Sequence, residues 1–271
     1  MKPDGILIFL RRVGMIAALL VMACTAQAVD VTGTLVTKEE KSFSGVIKWK
    51  AAQRGYVVSA GNRDMEFTLA QIKELTIPEP TGFRDAVKAI QEGRPQQAIP
   101  VLERIVQSYV MLQWDEPAAR ALAEACLNTG DTAGAMRVCE KVIVVKAEAA
   151  YTGEMAPIYW QTLLKAGKAS KLDDLLDQAI KTGNPNDMAC ALIMRGDILS
   201  GKGDFKVALK DGYLRVITLF RAIRSVQPEA LFKAAKAFDQ INQVARAETM
   251  RKQLLIEFGS SDWARQLKGG T

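Results

Sequence analysis

The sequence predicts a mostly α-helical protein, an α-solenoid of about five helix pairs preceded by a small all-β barrel and an export signal. Three observations carry this. A Gly or Asn recurs at intervals of 37, 37, 36 and 39 residues, from Gly93 through Gly130, Gly167 and Gly203 to Asn242, each between two helix-length apolar patterns. Self-similarity at such a period marks helix pairs that bury their faces by stacking. Residues 29–79 alternate apolar and polar side chains instead, and residues 1–28 carry a basic region, an apolar run and an Ala-x-Ala end. Apolar residues make up 49% and charged residues 24% of the 271, which excludes general disorder.

At the amino end, Arg11-Arg12 precede an uncharged, mostly apolar run from Val13 to Ala23, and Ala26-Gln27-Ala28 follows. A basic region, a short apolar run and an Ala-x-Ala end form a secretory signal cleaved after Ala28. The run is too short to cross ~30 Å of hydrocarbon as a helix. An uncleaved anchor or a start at Met15 are the alternatives, and a bare arginine pair is a weak twin-arginine signal. Val21-Met22-Ala23-Cys24 loosely resembles a lipoprotein processing box, and an acyl chain on Cys24 would tether the protein to a membrane. The small residues before Val29 favour cleavage there. Losing Lys2, Asp4, Arg11 and Arg12 takes the net charge from +6 to +4. The chain is expected in an exported compartment, a bacterial periplasm, or on the envelope if Cys24 is lipidated.

Domain boundaries follow the changes of period: 1–28 signal, 29–79 β domain, 80–271 helical repeat. In the β domain the runs start at Val31, Phe43, Tyr56, Met65 and Glu74, with turn-forming residues between them. Period-two runs at this spacing read as antiparallel strands. Five in so short a segment suggest a closed barrel, because closure removes exposed edges. The segment FTLAQIKELTIP resembles the end of an SH3-like barrel: a strand, a 3₁₀ turn at Leu69 to Ile72, and a last strand. Trp49 is expected in the core, and Tyr56 either there or in a peptide groove. Seven basic and seven acidic residues leave this segment neutral, against a nucleic-acid-binding barrel. Pro78 and Pro80 end it.

In the helical part a small residue stands seven before the turn, at Ala86, Ala123, Gly196 and Ala235, and another five after it, at Ala98, Ala135, Ala208 and Ala247. Small side chains at those places let two helices cross closely. The runs LAEACLNTGDTAGAMRVCEKVI and LIMRGDILSGKGDFKVALKDGYLRVI resemble tetratricopeptide repeats, and the ending FGSSDWARQL is similar to the ends of exported members such as the Tol–Pal system coordinator family. The resemblance implies a binding groove lined by the first helix of each pair. It places Arg120, Glu124 and Asn128 there, then Gln161 and Lys165, then Asp197, then Lys236 and Gln240. This mixed-sign set does not reproduce the family's clamp for a chain's carboxyl terminus. A solvated face is the plain alternative. The third pair breaks the rule: Trp160 and Leu172 occupy the crossing positions. Either that pair splays, or Trp160 turns outward as a partner contact, or the core repacks around it.

Catalytic patterns are lacking. Without histidine there is no Ser-His-Asp or Cys-His centre and no His-containing zinc site. Glu39-Glu40 and Asp173-Asp174 are adjacent acids that do not face one another, and Gly201-Lys202-Gly203-Asp204 coincides with a repeat turn. No cofactor or metal is expected. Cys126 and Cys139 should face one core as unbonded neighbours, since packed helix axes lie about 8–10 Å apart. The resulting expectation is a non-enzymatic exported scaffold for a protein or peptide, with no nucleic acid and with membrane contact only through a lipidated Cys24. The alternatives are an envelope tether, acylated or holding wall polymer through the barrel, and a carboxylate-dependent hydrolase.

Overall fold

The computed structural model describes residues 30–269; the signal, the cleavage point after Ala28 and Cys24 lie outside the described residues. The chain is mostly helical, with a small five-stranded antiparallel sheet on its amino-terminal side.

Strands β1 (Thr32–Thr37), β2 (Ser42–Lys50), β3 (Gly55–Ala60), β4 (Arg63–Thr68) and β5 (Ile72–Thr76) pair in the order β4-β3-β2-β1-β5. A 3₁₀ turn, Leu69–Gln71, links the last two, and the Thr68 and Gln71 side chains box its start. The closed barrel expected from the sequence is not formed. β5 pairs with β1, across a bulge at Val36 and Thr37, but β4 and β5 are the two edges of an open sheet. The sheet's apolar side is completed by side chains from the helical part. Buried Leu112 joins Leu35, Ile47 and Val58 in one cluster, with Tyr109, Met111 and Trp114 packed against it. Tyr56 lies in this core too, and its hydroxyl donates to the Met111 carbonyl at 2.6 Å. Trp114 Nε1 donates to the Ile77 carbonyl at 2.9 Å, and the Ile77 N–H donates to Gln113 Oε1 at 3.0 Å.

Five helical hairpins follow. They are α1 (Phe83–Gln91) with α2 (Pro95–Ser108), α3 (Asp115–Asn128) with α4 (Thr132–Val145), and α5 (Met155–Lys165) with α6 (Ala169–Lys181). In the fourth, α7 (Pro185–Gly201) faces a broken helix: α8 (Phe205–Ala208), a π-helical turn (Leu209–Tyr213) and α9 (Leu214–Leu219). The fifth is α10 (Gln227–Gln240) with α11 (Val244–Phe258), and α12 (Asp262–Gly269) packs on its end.

The turns fall where the period places them. Gly93, Gly130, Gly167, Gly203 and Asn242 have φ of 75, 83, 69, 84 and 57°, the left-handed region that ends a helix. At each, the next residue's N–H returns to the carbonyl five back: Arg94 to Ala89, Asp131 to Cys126, Lys168 to Leu163, Asp204 to Leu199 and Gln243 to Phe238, all within 2.8–3.0 Å. The turn residue's own N–H returns to the carbonyl three back. One local device, which closes otherwise orphaned carbonyls, is thus used five times. Each later first helix packs on the second helix before it, and α1, α3, α5 and α7 lie side by side. One core runs from Ala86 to Met194, a second from Ala189 to Ala247.

The third hairpin departs in the way its large residues imply. Trp160 and Leu172 are both fully buried, and α5 stays close to α6 over less of its length than α3 to α4 or α10 to α11. The indole Nε1 donates to the Ala150 carbonyl at 2.9 Å. Trp160 therefore does not turn outward, and the expectation of a partner contact there is corrected: its ring fills the core and its one donor is used. In the fourth hairpin Gly196 also lies against Gly212 and Tyr213. A Cβ on Gly212 would lie 2.8 Å from the Gly196 Cα, and one on Gly196 would lie 2.5 Å from the Tyr213 ring.

Candidate functional site

The first helices expose the polar positions that the sequence placed on a groove. Gln161 and Lys165 on α5, Asn128 at the end of α3, and Lys236 and Gln240 on α10 are exposed. Helix phase explains this, because residues three and four apart share a face and the neighbouring apolar ones enter the core. Arg120 and Glu124 are half-buried on α3 and 3.9 Å apart, and Arg120 also comes within 3.7 Å of Glu154. The Arg120 Nε is buried without a hydrogen-bond partner.

Asp197 behaves differently. Both carboxylate oxygens are engaged: Tyr213 donates its hydroxyl to Oδ1 at 2.8 Å, and Lys233 Nζ donates to Oδ2 at 2.5 Å. Lys233 also donates to Glu229 Oε1 at 2.6 Å, and Ser200 Oγ lies 3.1 Å from the Tyr213 hydroxyl. The Lys233 and Asp197 side chains are 18% and 21% exposed, so this pair is largely withdrawn from solvent and ties α7 to α10. Burial alone disfavours the ammonium, but the Glu229 and Asp197 carboxylates outweigh it and raise the Lys233 pKa. Burial, reinforced by the Asp197 charge, pushes the Tyr213 phenol up, so it remains a neutral donor. Asp197 is thus a bridge between hairpins, already satisfied.

Beside this bridge is a cavity of about 490 Å³ whose lining includes Tyr213, Lys233, Lys236 and Gln240. It brings two predicted residues, Lys236 and Gln240, together with two that the sequence reading missed. Tyr213 and Lys233 meet through a π turn and an inter-hairpin contact, and neither leaves a local sequence signal. Ammonium, phenol and amide groups at one cleft can hydrogen-bond a polar chain.

Cys126 and Cys139 are buried free thiols, as the sequence suggested, and Cys190 is a half-buried one. Burial pushes the Cys139 pKa up to about 12 and that of Cys190 up to about 11. Among the described residues no group of His, Cys, Asp and Glu is arranged to hold a metal ion, and no helix is long and apolar enough to cross a membrane. No protein-family model matches the chain, and no curated protein matches it.

Proposed function

We propose that the protein is a non-enzymatic scaffold of the tetratricopeptide type, exported to the periplasm, which holds a protein or peptide partner along its row of first helices. The observation that carries this is the five-fold turn chemistry combined with side-by-side packing of α1, α3, α5 and α7, which gives a continuous face. Gln161 and Lys165 on that face, and Lys236 and Gln240 on α10, which Lys233 ties to α7, are the exposed contact residues. Glu124 and Arg120 contribute opposite charges beside them, and mixed charge favours selection of a matching partner over tight unspecific adhesion. The open sheet serves as a cap that covers the first hairpins through Tyr109 to Trp114.

Photocrosslinking residues placed at Gln161, Lys165 and Lys236, in cells of origin, test this reading. The expected result is one shared adduct from all three positions and none from Lys181 on the second helix α6. Adducts from Lys181 alone, or none from the first helices, would overturn it. Mass spectrometry of the mature amino terminus separates the tether: an acyl group on Cys24 favours it, a free Val29 removes it.

A further inference from the structure

A second face has a different character. Between Lys202 and Arg224 there are six basic residues and two acidic ones, Asp204 and Asp211, in a chain whose whole net charge is +6. Four cations, Lys206, Lys210, Arg215 and Arg246, line one groove of about 370 Å³ between the broken helix and the α10–α11 turn. None of the four has a carboxylate within ion-pair distance among the described residues. Arg246 donates to the Gln243 amide oxygen at 3.0 Å and lies over the Phe238 ring, 5.9 Å from its centroid.

The π turn is what aligns this row. Lys206 and Lys210 are four apart, which leaves them on one helix face. Arg215 is five beyond Lys210, and in a continuous α-helix five residues turn a side chain ~140° away. A π turn closes its ring over five residues instead, so Arg215 comes back beneath Lys210. The groove's floor is apolar, with Leu209, Leu214, Phe238 and Ile241. Val207 follows Lys206, Leu219 stands four residues beyond Arg215 and Val244 two before Arg246, exposed by 42, 66 and 67%.

We propose that this face docks the protein on an anionic phospholipid surface. The phosphates meet Lys206, Lys210, Arg215 and Arg246, and Val207, Leu219 and Val244 enter the boundary between headgroups and acyl chains. Two features favour lipid over an acidic protein. The cations are not fixed by neighbouring carboxylates, and the exposed apolar residues are all aliphatic, whereas protein interfaces concentrate Tyr, Trp and Phe. This contact needs no acyl group on Cys24.

The test is co-sedimentation of the chain from Val29 to Thr271, which contains the whole described fold, with vesicles of equal parts phosphatidylglycerol and phosphatidylcholine or of phosphatidylcholine alone. The expected result is binding to the anionic vesicles only, weakening as salt rises. The triple variant Lys206→Gln, Lys210→Gln, Arg215→Gln should lose affinity on the order of a hundredfold, since each basic residue near such a surface is worth about fivefold. A matched variant with Lys168→Gln, Lys181→Gln and Lys252→Gln should lose far less, which separates the site from net charge. Leu219→Ser with Val244→Ser should weaken binding while keeping its salt dependence. Helicity and thermal unfolding of each variant show that it is folded. Binding to neutral vesicles, equal losses in the two triple variants, or binding to polyglutamate but not to vesicles would overturn the proposal. None of these readouts depends on the first-helix face, so the two readings can fail separately.

Discussion

The third and fourth hairpins share one turn chemistry and solve the crossing of their helices in opposite ways. In the third, α5 stays close to α6 over less of its length, with Trp160 and Leu172 buried and the indole donating to the Ala150 carbonyl. In the fourth, Gly196 and Gly212 let two backbones touch, and Tyr213 locks the contact through Asp197 and Ser200. The difference shows that turn spacing sets where a helix pair reverses, while side-chain volume sets how closely the pair then packs.

Stability and thiol measurements test that contrast. Trp160→Ala should cost about 3–5 kcal/mol in denaturant unfolding, because the removed ring leaves a cavity that a splayed pair cannot close. A loss below about 1 kcal/mol would mean that α5 collapses onto α6 and that splaying is not imposed by the ring. Gly212→Ala should cost about 1–3 kcal/mol, since its Cβ would meet the Gly196 Cα and the Leu192 carbonyl oxygen, which are backbone atoms. Gly201→Ala in the same hairpin meets nothing within 4 Å and should be neutral or stabilising by up to about 1 kcal/mol. Equal costs at the two glycines would remove the touching-backbone account.

Tyr213→Phe should cost about 1 kcal/mol by deleting the hydroxyl that Asp197 accepts. It should also change the alkaline limb of the stability curve. Tyr213 and Lys233 both have folded pKa values above their ordinary 10.0 and 10.5. Their contributions are whole below those values and fade as pH rises through the raised ones, so the protein should lose stability above about pH 10. In Tyr213→Phe that loss should be shallower; an unchanged slope would assign it elsewhere. The smallest effect concerns thiols. Titration of the unfolded, unreduced chain from Val29 should find three, and in the folded protein Cys190 should be alkylated before Cys139, whose thiol is the more deeply buried and the less acidic. One thiol instead of three would establish a disulfide.

Much of the helical half was legible because its signals are local. A left-handed residue, a helix-length apolar pattern on each side and a repeating interval are all written within a few residues of each turn, as at Gly130 and Gly203. The strand positions were legible for the same reason, down to the 3₁₀ turn at Leu69–Gln71. The closed barrel was an inference from edges in general. It failed because the cover for this sheet comes from Leu112, far away in sequence. On the candidate face the exposure of Gln161, Lys165, Lys236 and Gln240 followed from helix phase, whereas the engagement of Asp197 depended on Lys233 from the next hairpin.

The sequence by itself determined where the chain turns and which period each segment follows, because those properties depend on near neighbours. Tertiary structure decided the rest: that the sheet stays open, that Trp160 points inward, and that a π turn brings Arg215 into line with Lys206 and Lys210. Each of these is settled by what an element packs against. Gly196 and Gly212 become partners only when two helices cross, and no interval along the chain records that crossing.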